Sequence, residues 1–247
     1  MWLKFAPWLV QPPPGREPVR PLKLSVIIPV YNEVATLATV IAAVRAVPVD
    51  KEIIVVDGNS DDGTREVLAR EERQGDVRAI YQPDRNGRGG ALREGLAVAT
   101  GDVVVFQDAD LELDPACFPD LLAPIERGET DVVFGSRFLA GRPPMTFLQY
   151  WGNRVVNATL NLLWGTRLTD VETCYQMFRR SAVDGMTFDR RDMSFTVELA
   201  LRLIRAGHRI KEVPIAYRPR SRTEGKKLYW ADGFVSLWVV VRYRLGG

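Results

Sequence analysis

Apolar residues fall along this chain in two alternating rhythms. Leu24, Ser25, Val26, Ile27 and Ile28 form a short, mostly β-branched run closed by Pro29, which is the pattern of a buried strand. Val34, Leu37, Val40, Ile41 and Val44 then recur at helical spacing, predicting a helix over residues 33–47 that Pro48 ends. The alternation continues with strands at 52–56, 77–81 and 103–106 and helices at 61–74 and 89–99. Downstream the rhythm loosens, with strands at 131–134, 174–178 and 209–213 and helices at 149–164, 195–206 and 231–243. The strands are unbroken apolar runs, as a sheet covered by helices on both faces requires. The pattern predicts one α/β domain over residues 23–230, with a mostly parallel sheet. Residues 1–22, interrupted by Pro7, Pro12, Pro13 and Pro14, are expected to form a flexible or surface-packed arm. Residues 231–247 are expected to form an apolar helix that faces either the core or a membrane.

Composition narrows the classes. Of 247 residues, 46% are hydrophobic and 26% charged, which excludes a disordered chain or a disulfide framework. The 33 basic and 31 acidic residues nearly cancel, which argues against a dedicated nucleic-acid binder. Cys117 and Cys174 have neither CxxC spacing nor a nearby histidine and are expected to be reduced thiols. The apolar run at 234–241 is far short of the roughly 18–20 residues of a membrane span. The first residues lack the basic start and cleavage site of a signal peptide. The expected location is the cytoplasm, with peripheral contact to the inner face of the membrane through Trp2, Trp8 or the last helix.

Three loops at predicted strand ends are rich in acidic and small residues: 29–33, 57–63 and 108–112. In an open parallel sheet all three converge on one edge. Asp61 or Ser60 could simply cap a helix, and Asp114-Pro115 is also a helix start, but convergence of three such loops favours a site. Asp108 and Asp110 are two apart, so in extended backbone both carboxylates face one side and can meet one cation. Oxygen ligands without histidine or cysteine favour Mg2+ or Mn2+ over zinc, with Glu112 adjacent. A calcium loop of the EF-hand kind fails, because its sixth position would be Leu113 or Asp62 instead of glycine.

The segment from Arg85 through Asn86 and Gly87 to Ala91 opens a helix with several glycines, a place suited to phosphate or sugar hydroxyls. It matches neither the dinucleotide fingerprint, which needs glycine at Leu92, nor a P-loop. Late in the chain Arg218, Arg220, Arg222, Lys226 and Lys227 cluster around Pro219 and Gly225, a loop able to fold over a ligand. With Arg137 they could neutralise several phosphates. His208 follows Gly207 in a helix-to-strand turn and is assigned no role.

At this point the chain resembles the family 2 glycosyltransferases, whose domain is a single GT-A (Rossmann-like) fold. The resemblance covers about residues 23–244 and rests on Ser25 to Glu33 (SVIIPVYNE), Asp57 to Thr64 (DGNSDDGT) and Gln107 to Glu112 (QDADLE). Within the family it is most similar to polyprenyl-phosphate sugar synthases of the dolichyl-phosphate mannose synthase type. The supporting segments are 132–137, 170–179 and 212–217, followed by Arg220 and Glu224 to Lys227. Many synthases of that type have glutamine where Glu112 stands.

The resemblance implies inverting transfer of a hexose from a nucleotide-sugar, of the GDP-mannose or UDP-glucose type, to a polyprenyl phosphate. It implies a divalent cation held by Asp110, with Asp108 and Glu112 completing or orienting the set. Asp57 would accept from the nucleobase N–H, Pro29, Tyr31 and Glu33 would frame base and ribose, and Arg137, Arg220 and Lys226 would hold phosphates. A phosphate acceptor, with a second pKa near about 6, is a ready nucleophile and needs no base. The alternative is a sugar-hydroxyl acceptor in cell-surface polysaccharide synthesis, for which Asp170 or Glu172 would take the proton. Two rivals stand further off: a nucleotidyltransferase, which would carry a glycine- and lysine-bearing signature where Pro29 to Glu33 stand, and a non-catalytic nucleotide-sugar binder.

Overall fold

The computed structural model describes residues 21–220 and 231–245, so residues 1–20 of the N-terminal arm and Arg222, Lys226 and Lys227 lie outside the described residues. The alternation read from the sequence folds as β1 (Leu24–Val30), α1 (Leu37–Ala46), β2 (Lys51–Asp57), α2 (Thr64–Glu72), β3 (Val77–Tyr81), α3 (Gly87–Val98) and β4 (Val103–Phe106). There follow α4 (Phe118–Glu126), β5 (Val132–Ser136), α5 (Phe147–Trp164), β6 (Gln176–Arg179), α6 (Phe195–Arg205), β7 (Ile210–Pro214) and α7 (Ala231–Arg244). The seven strands form one sheet in the order β3-β2-β1-β4-β6-β5-β7. All residues of β1 and β4 are buried, as continuous apolar runs demand.

Strand direction is where the pattern alone was silent. β1, β2, β3 and β4 are mutually parallel and β5 is parallel to β7, but β6 runs antiparallel to both β4 and β5. A strand buried on both faces reads the same either way along the chain. From β1 the chain winds outward to β2 and β3, then returns to place β4 on the opposite side. The loops after β1 and β4 therefore part at a topological switch point, which opens a crevice at the C-terminal edge.

Two helices start later than their apolar spacing predicts, because loop polar groups take the first turn. Residues 33–36 form a turn in which Thr36 Oγ1 donates to the Ala109 carbonyl at 2.6 Å, tying the first loop to the third. α2 begins at Thr64, not at Asp61: Asp62 accepts from both Thr64 N and Oγ1, and Gly63 turns with φ 98°. α4 was not predicted. Pro119 in its first turn and Pro124 in its interior disguise it, although Asp114 opens the preceding turn by accepting from Ala116 N at 2.9 Å.

Candidate active site

The first two loops are stapled together. Asn32, at φ 52°, accepts on its side chain from Asp61 N and donates to the Asp61 carboxylate at 2.7 Å. Its backbone N–H donates to Ser60 Oγ at 3.0 Å. Pro29 is paired in register with Val56, and Tyr31 follows with Arg85 stacked 4.2 Å from its ring centre. Asp57, expected to accept from a nucleobase N–H, is the last residue of β2. Its side chain is 0% exposed and accepts from Arg65 Nε at 2.6 Å and from Asn59 and Ser60 N–H groups. These contacts fix the turn that follows β2.

The third loop leaves β4 through two buried polar anchors. Gln107 donates to the Asp108 carbonyl and accepts from Tyr175 Oη at 2.6 Å. Leu111 then takes φ 61°, an uncommon value for a side chain of this size, and brings Glu112 N within 3.0 Å of Asp110 Oδ1. The segment is a turn and not an extended strand, yet Asp108, Asp110 and Glu112 all line one cavity. Burial, then the neighbouring Asp108 and Glu112 charges, push Asp110 up to about 7.

Each carboxylate has a partner. Asp108 Oδ1 accepts from Arg88 Nε at 2.8 Å, and Asp110 Oδ2 lies 3.3 Å from Arg220 Nη2. Arg220 also holds Glu33, with nitrogen–oxygen distances of 2.8 and 3.3 Å. Glu112 is drawn toward the segment after β7, accepting from Tyr217 Oη at 3.0 Å and Arg220 N at 2.8 Å. The expected set of three metal ligands is therefore not assembled as such. Among the described residues no group of three histidine, cysteine, aspartate or glutamate side chains is placed to hold a metal ion. The Asp108–Asp110 pair is what the cavity presents.

A second corner joins β5 to the loop before β6. Asp170, a candidate base, is 0% exposed and receives Arg137 Nε at 2.7 Å, Nη2 at 2.6 Å and backbone N at 3.0 Å. Both its oxygens are spent on orienting Arg137, so it is not a free base. Arg137 also donates to Asn153 on α5 and stacks 5.3 Å from the Tyr217 ring. Glu172 is half-buried on the cavity wall.

The glycine-rich start of α3 is also not open as a phosphate cradle. Gly89 N donates to the Arg191 carbonyl at 2.8 Å, so the helix start is capped by protein. Asn86 and Gly87 line a separate shallow cavity with Arg85, Arg191 and Asp192. Sequence reading passed over Arg88, Tyr217 and Cys174. Arg88 was hidden among glycines, and Tyr217 and Cys174 lie in segments that carry the resemblance without assigning either a role.

The main cavity has a volume of about 920 Å³. Its lining combines the acidic loop and Arg88, Arg137 and Arg220 with Leu148, Trp151 and Val155 of α5 and Phe234 and Leu237 of α7. A mostly parallel sheet with an acidic, arginine-lined crevice at its switch point defines the GT-A class of fold. The chain belongs to glycosyl transferase family 2, whose family model matches residues 25–186. It is 31% identical over 216 residues to glycosyltransferase AglD of Haloferax volcanii, covering 82% of this chain and 34% of that protein. It is 28% identical over 249 residues to the undecaprenyl-phosphate mannosyltransferase of Micrococcus luteus, covering 91% of this chain and 100% of the relative. The chain thus spans about a third of the first of these curated relatives and the whole of the second. Crystal structures of glucosyl-3-phosphoglycerate synthase from Mycobacterium tuberculosis share the fold. The complex with Mn2+, UDP and phosphoglyceric acid superposes with a TM-score of 0.70 at 23% identity, covering 91% of this chain and 79% of that one. The complex with Mn2+, UDP-glucose and glycerol 3-phosphate gives 0.65 at 25% identity, covering 91% and 80%.

Proposed function

We propose that this chain is an inverting glycosyltransferase that moves a hexosyl group from a nucleotide-sugar to a polyprenyl phosphate at a membrane surface. The observation that carries this reading is that one cavity is lined both by the acidic loop with its arginines and by apolar side chains of α5 and α7. An isoprenoid chain laid against α5 and α7 is favoured by about 25 cal/mol per Å² of apolar surface removed from water. The apolar wall continues onto the surface. Phe234, Trp238, Val241 and Leu245 form one stripe along α7 and are 65, 49, 38 and 82% exposed. Phe147, Trp151, Val155 and Leu162 form another along α5. Among the described residues no helix is long and apolar enough to cross a membrane, so these stripes suit a helix pair lying on the lipid surface. The M. luteus relative's name, undecaprenyl-phosphate mannosyltransferase, points the same way.

Asp110 and Asp108 would hold a Mg2+ or Mn2+ ion. The fit rests on the pair itself: two oxygen donors in one cavity, with Asp110 pushed up to about 7 by burial and then by the Asp108 and Glu112 charges. Bound there, the ion supplies Lewis-acid stabilisation to the leaving diphosphate. Glu112 would join only by leaving Tyr217 and Arg220. Pro29, Tyr31 and Glu33 frame the nucleoside; Arg220, seated between Glu33 and Asp110, and Arg137, fixed by Asp170, face the phosphates. Lys226 belongs to the same proposed set. The acceptor phosphate is largely dianionic at neutral pH and attacks without a base, so these residues position and neutralise. With Asp170 committed to Arg137, a hydroxyl acceptor would have only Glu172 to take its proton.

A thermal-shift panel of UDP-, GDP- and dTDP-sugars with and without Mn2+ tests the donor, and transfer assays of R220A and E172Q test the acceptor. One nucleotide-sugar class should stabilise the protein in the presence of metal, and R220A should cripple transfer while E172Q spares it. Transfer lost in E172Q and kept in R220A would overturn the lipid-phosphate reading.

A further inference from the structure

The glycines that open α3 are not used by the transfer chemistry above, yet each answers a need for space. A Cβ on Gly87 would stand 2.3 Å from the Arg191 carbonyl oxygen, and one on Gly89 would stand 2.8 Å from the Arg190 carbonyl oxygen. Bare backbone lets residues 190–191 close over the helix start, where the Arg191 carbonyl accepts from Gly89 N at 2.8 Å. The first turn of α3 is thereby clamped, and the side chain set among these glycines, Arg88, reaches the main cavity.

Arg88 is held by two of its three nitrogens. Nε donates to Asp108 Oδ1 at 2.8 Å, and Nη2 points at Cys174 Sγ at 2.9 Å. The third nitrogen, Nη1, is buried with no hydrogen-bond partner. A guanidinium is a planar fork, so fixing two nitrogens fixes the direction of the third. A buried charged donor left unpaired is costly, and native structures leave such groups where something else completes them.

We propose that Arg88 is an oxyanion-binding residue, locked on Asp108 and Cys174 so that Nη1 donates to a phosphoryl oxygen of a ligand bound beside Asp108. The choice of a phosphoryl group rests on the donor and acceptor reading above. Its source is either the diphosphate of the nucleotide-sugar or the monoester of the acceptor. The alternative is that Arg88 is only a strut for Asp108.

Calorimetric titration of the full chain separates these, comparing wild type, R88A, R88Q, D108N and the R88A/D108N double variant. Pyrophosphate and UDP or GDP, in EDTA to remove metal effects, probe the donor side; farnesyl phosphate in detergent probes the acceptor side. R88A should weaken one of these at least about tenfold, as loss of a charge-assisted hydrogen bond does. The loss should persist in the D108N background, because the contact is made by Arg88 itself. R88Q, which keeps a hydrogen bond to Asp108 without the charge, should show the same loss and serves if R88A does not fold. Whichever probe weakens identifies the source. Unchanged affinity for both probes in R88A or R88Q, or a loss that vanishes in D108N, would overturn the proposal. Pyrophosphate binding that depends on Arg88 supports the site even if no nucleotide-sugar binds, so this inference and the donor reading fail separately.

Discussion

The two ends of strands β1, β2 and β4 each carry a partly enclosed carboxylate, and the two are treated in opposite ways. At the N-terminal edge Glu52 accepts from Ser25 Oγ at 2.5 Å, Thr100 N at 2.6 Å, Thr100 Oγ1 at 2.9 Å and Gly101 N at 3.0 Å. Burial alone would raise it, but these hydrogen bonds outweigh burial and bring it down to about 2. At the C-terminal edge burial and two like charges push Asp110 up to about 7, with Glu112 N and Arg220 only partly offsetting them. The same sheet thus surrounds one carboxylate with hydrogen-bond donors and crowds the other with like charge that Arg220 only partly offsets. A carboxylate wrapped in donors closes a structure, whereas one crowded by its own kind is the place where the proposed cation would be held.

The sharpest way to break this contrast is to neutralise each group in turn. D110N should lower transfer by about a thousandfold or more, since several kcal/mol of charge stabilisation in the transition state is lost. Its stability at pH 8 should equal or exceed that of wild type. The sign follows from the raised value: Asp110 favours the folded state below its unfolded pKa, near 3.8, and that advantage is gone once pH rises past about 7. Thermal unfolding beside a turnover assay checks both halves. A D110N protein that melts early and keeps its activity would reverse the assignment. In wild type, Mn2+ affinity should fall as pH drops below about 7, where a proton competes for Asp110.

A smaller effect is expected where the acidic edge meets the apolar wall. Replacing both Phe234 and Trp238, 65 and 49% exposed on α7, by serine should cost little stability. Vesicle binding, and transfer that depends on it, should fall about tenfold as the buried apolar area is lost. Sedimentation with anionic vesicles reads this directly, and unchanged binding would separate α7 from any membrane role.

The least effect on catalysis belongs to the N-terminal edge. E52Q should lose about 1–2 kcal/mol of stability, the worth of charged hydrogen bonds discounted for partial exposure, with turnover per folded molecule unchanged. The Glu52 contribution should be complete above about pH 4.5 and fade as pH falls through about 2. Denaturant titrations of wild type and E52Q should therefore differ less at pH 3 than at pH 7, and the remaining difference should vanish as pH falls through about 2.

How much of this was legible in the sequence depends on how far apart the partners lie. Fully buried strands such as β1 and β4 write themselves as apolar runs, and the acidic loops at their ends were placed on one edge by the alternation of elements alone. The clustering of Asp108, Asp110 and Glu112 followed from that placement. Ion pairing did not. Asp57 is taken by Arg65 eight residues on, and Asp170 by Arg137 thirty-three residues back, so two carboxylates that read as ligand or base turned out to be occupied. No local rhythm announces such partners. The glycines before α3 resembled a phosphate cradle because close approach of backbone to backbone needs the same residue type as close approach to an anion. The apolar stripe of α7 was visible, but its exposure was not, since helical spacing does not say which apolar face is covered.

One cavity is proposed to take both a nucleotide-sugar, through its acidic loop and arginines, and a lipid phosphate, through its apolar walls. The most direct test is transfer of labelled hexose from the nucleotide-sugar that binds best, with Mn2+ and with undecaprenyl phosphate in detergent, followed by partition between water and organic solvent. The account predicts label in the organic phase, released by mild acid as free sugar, and no such label with D110N. Label that stays in the aqueous phase on a water-soluble acceptor, with none extracted, would contradict it.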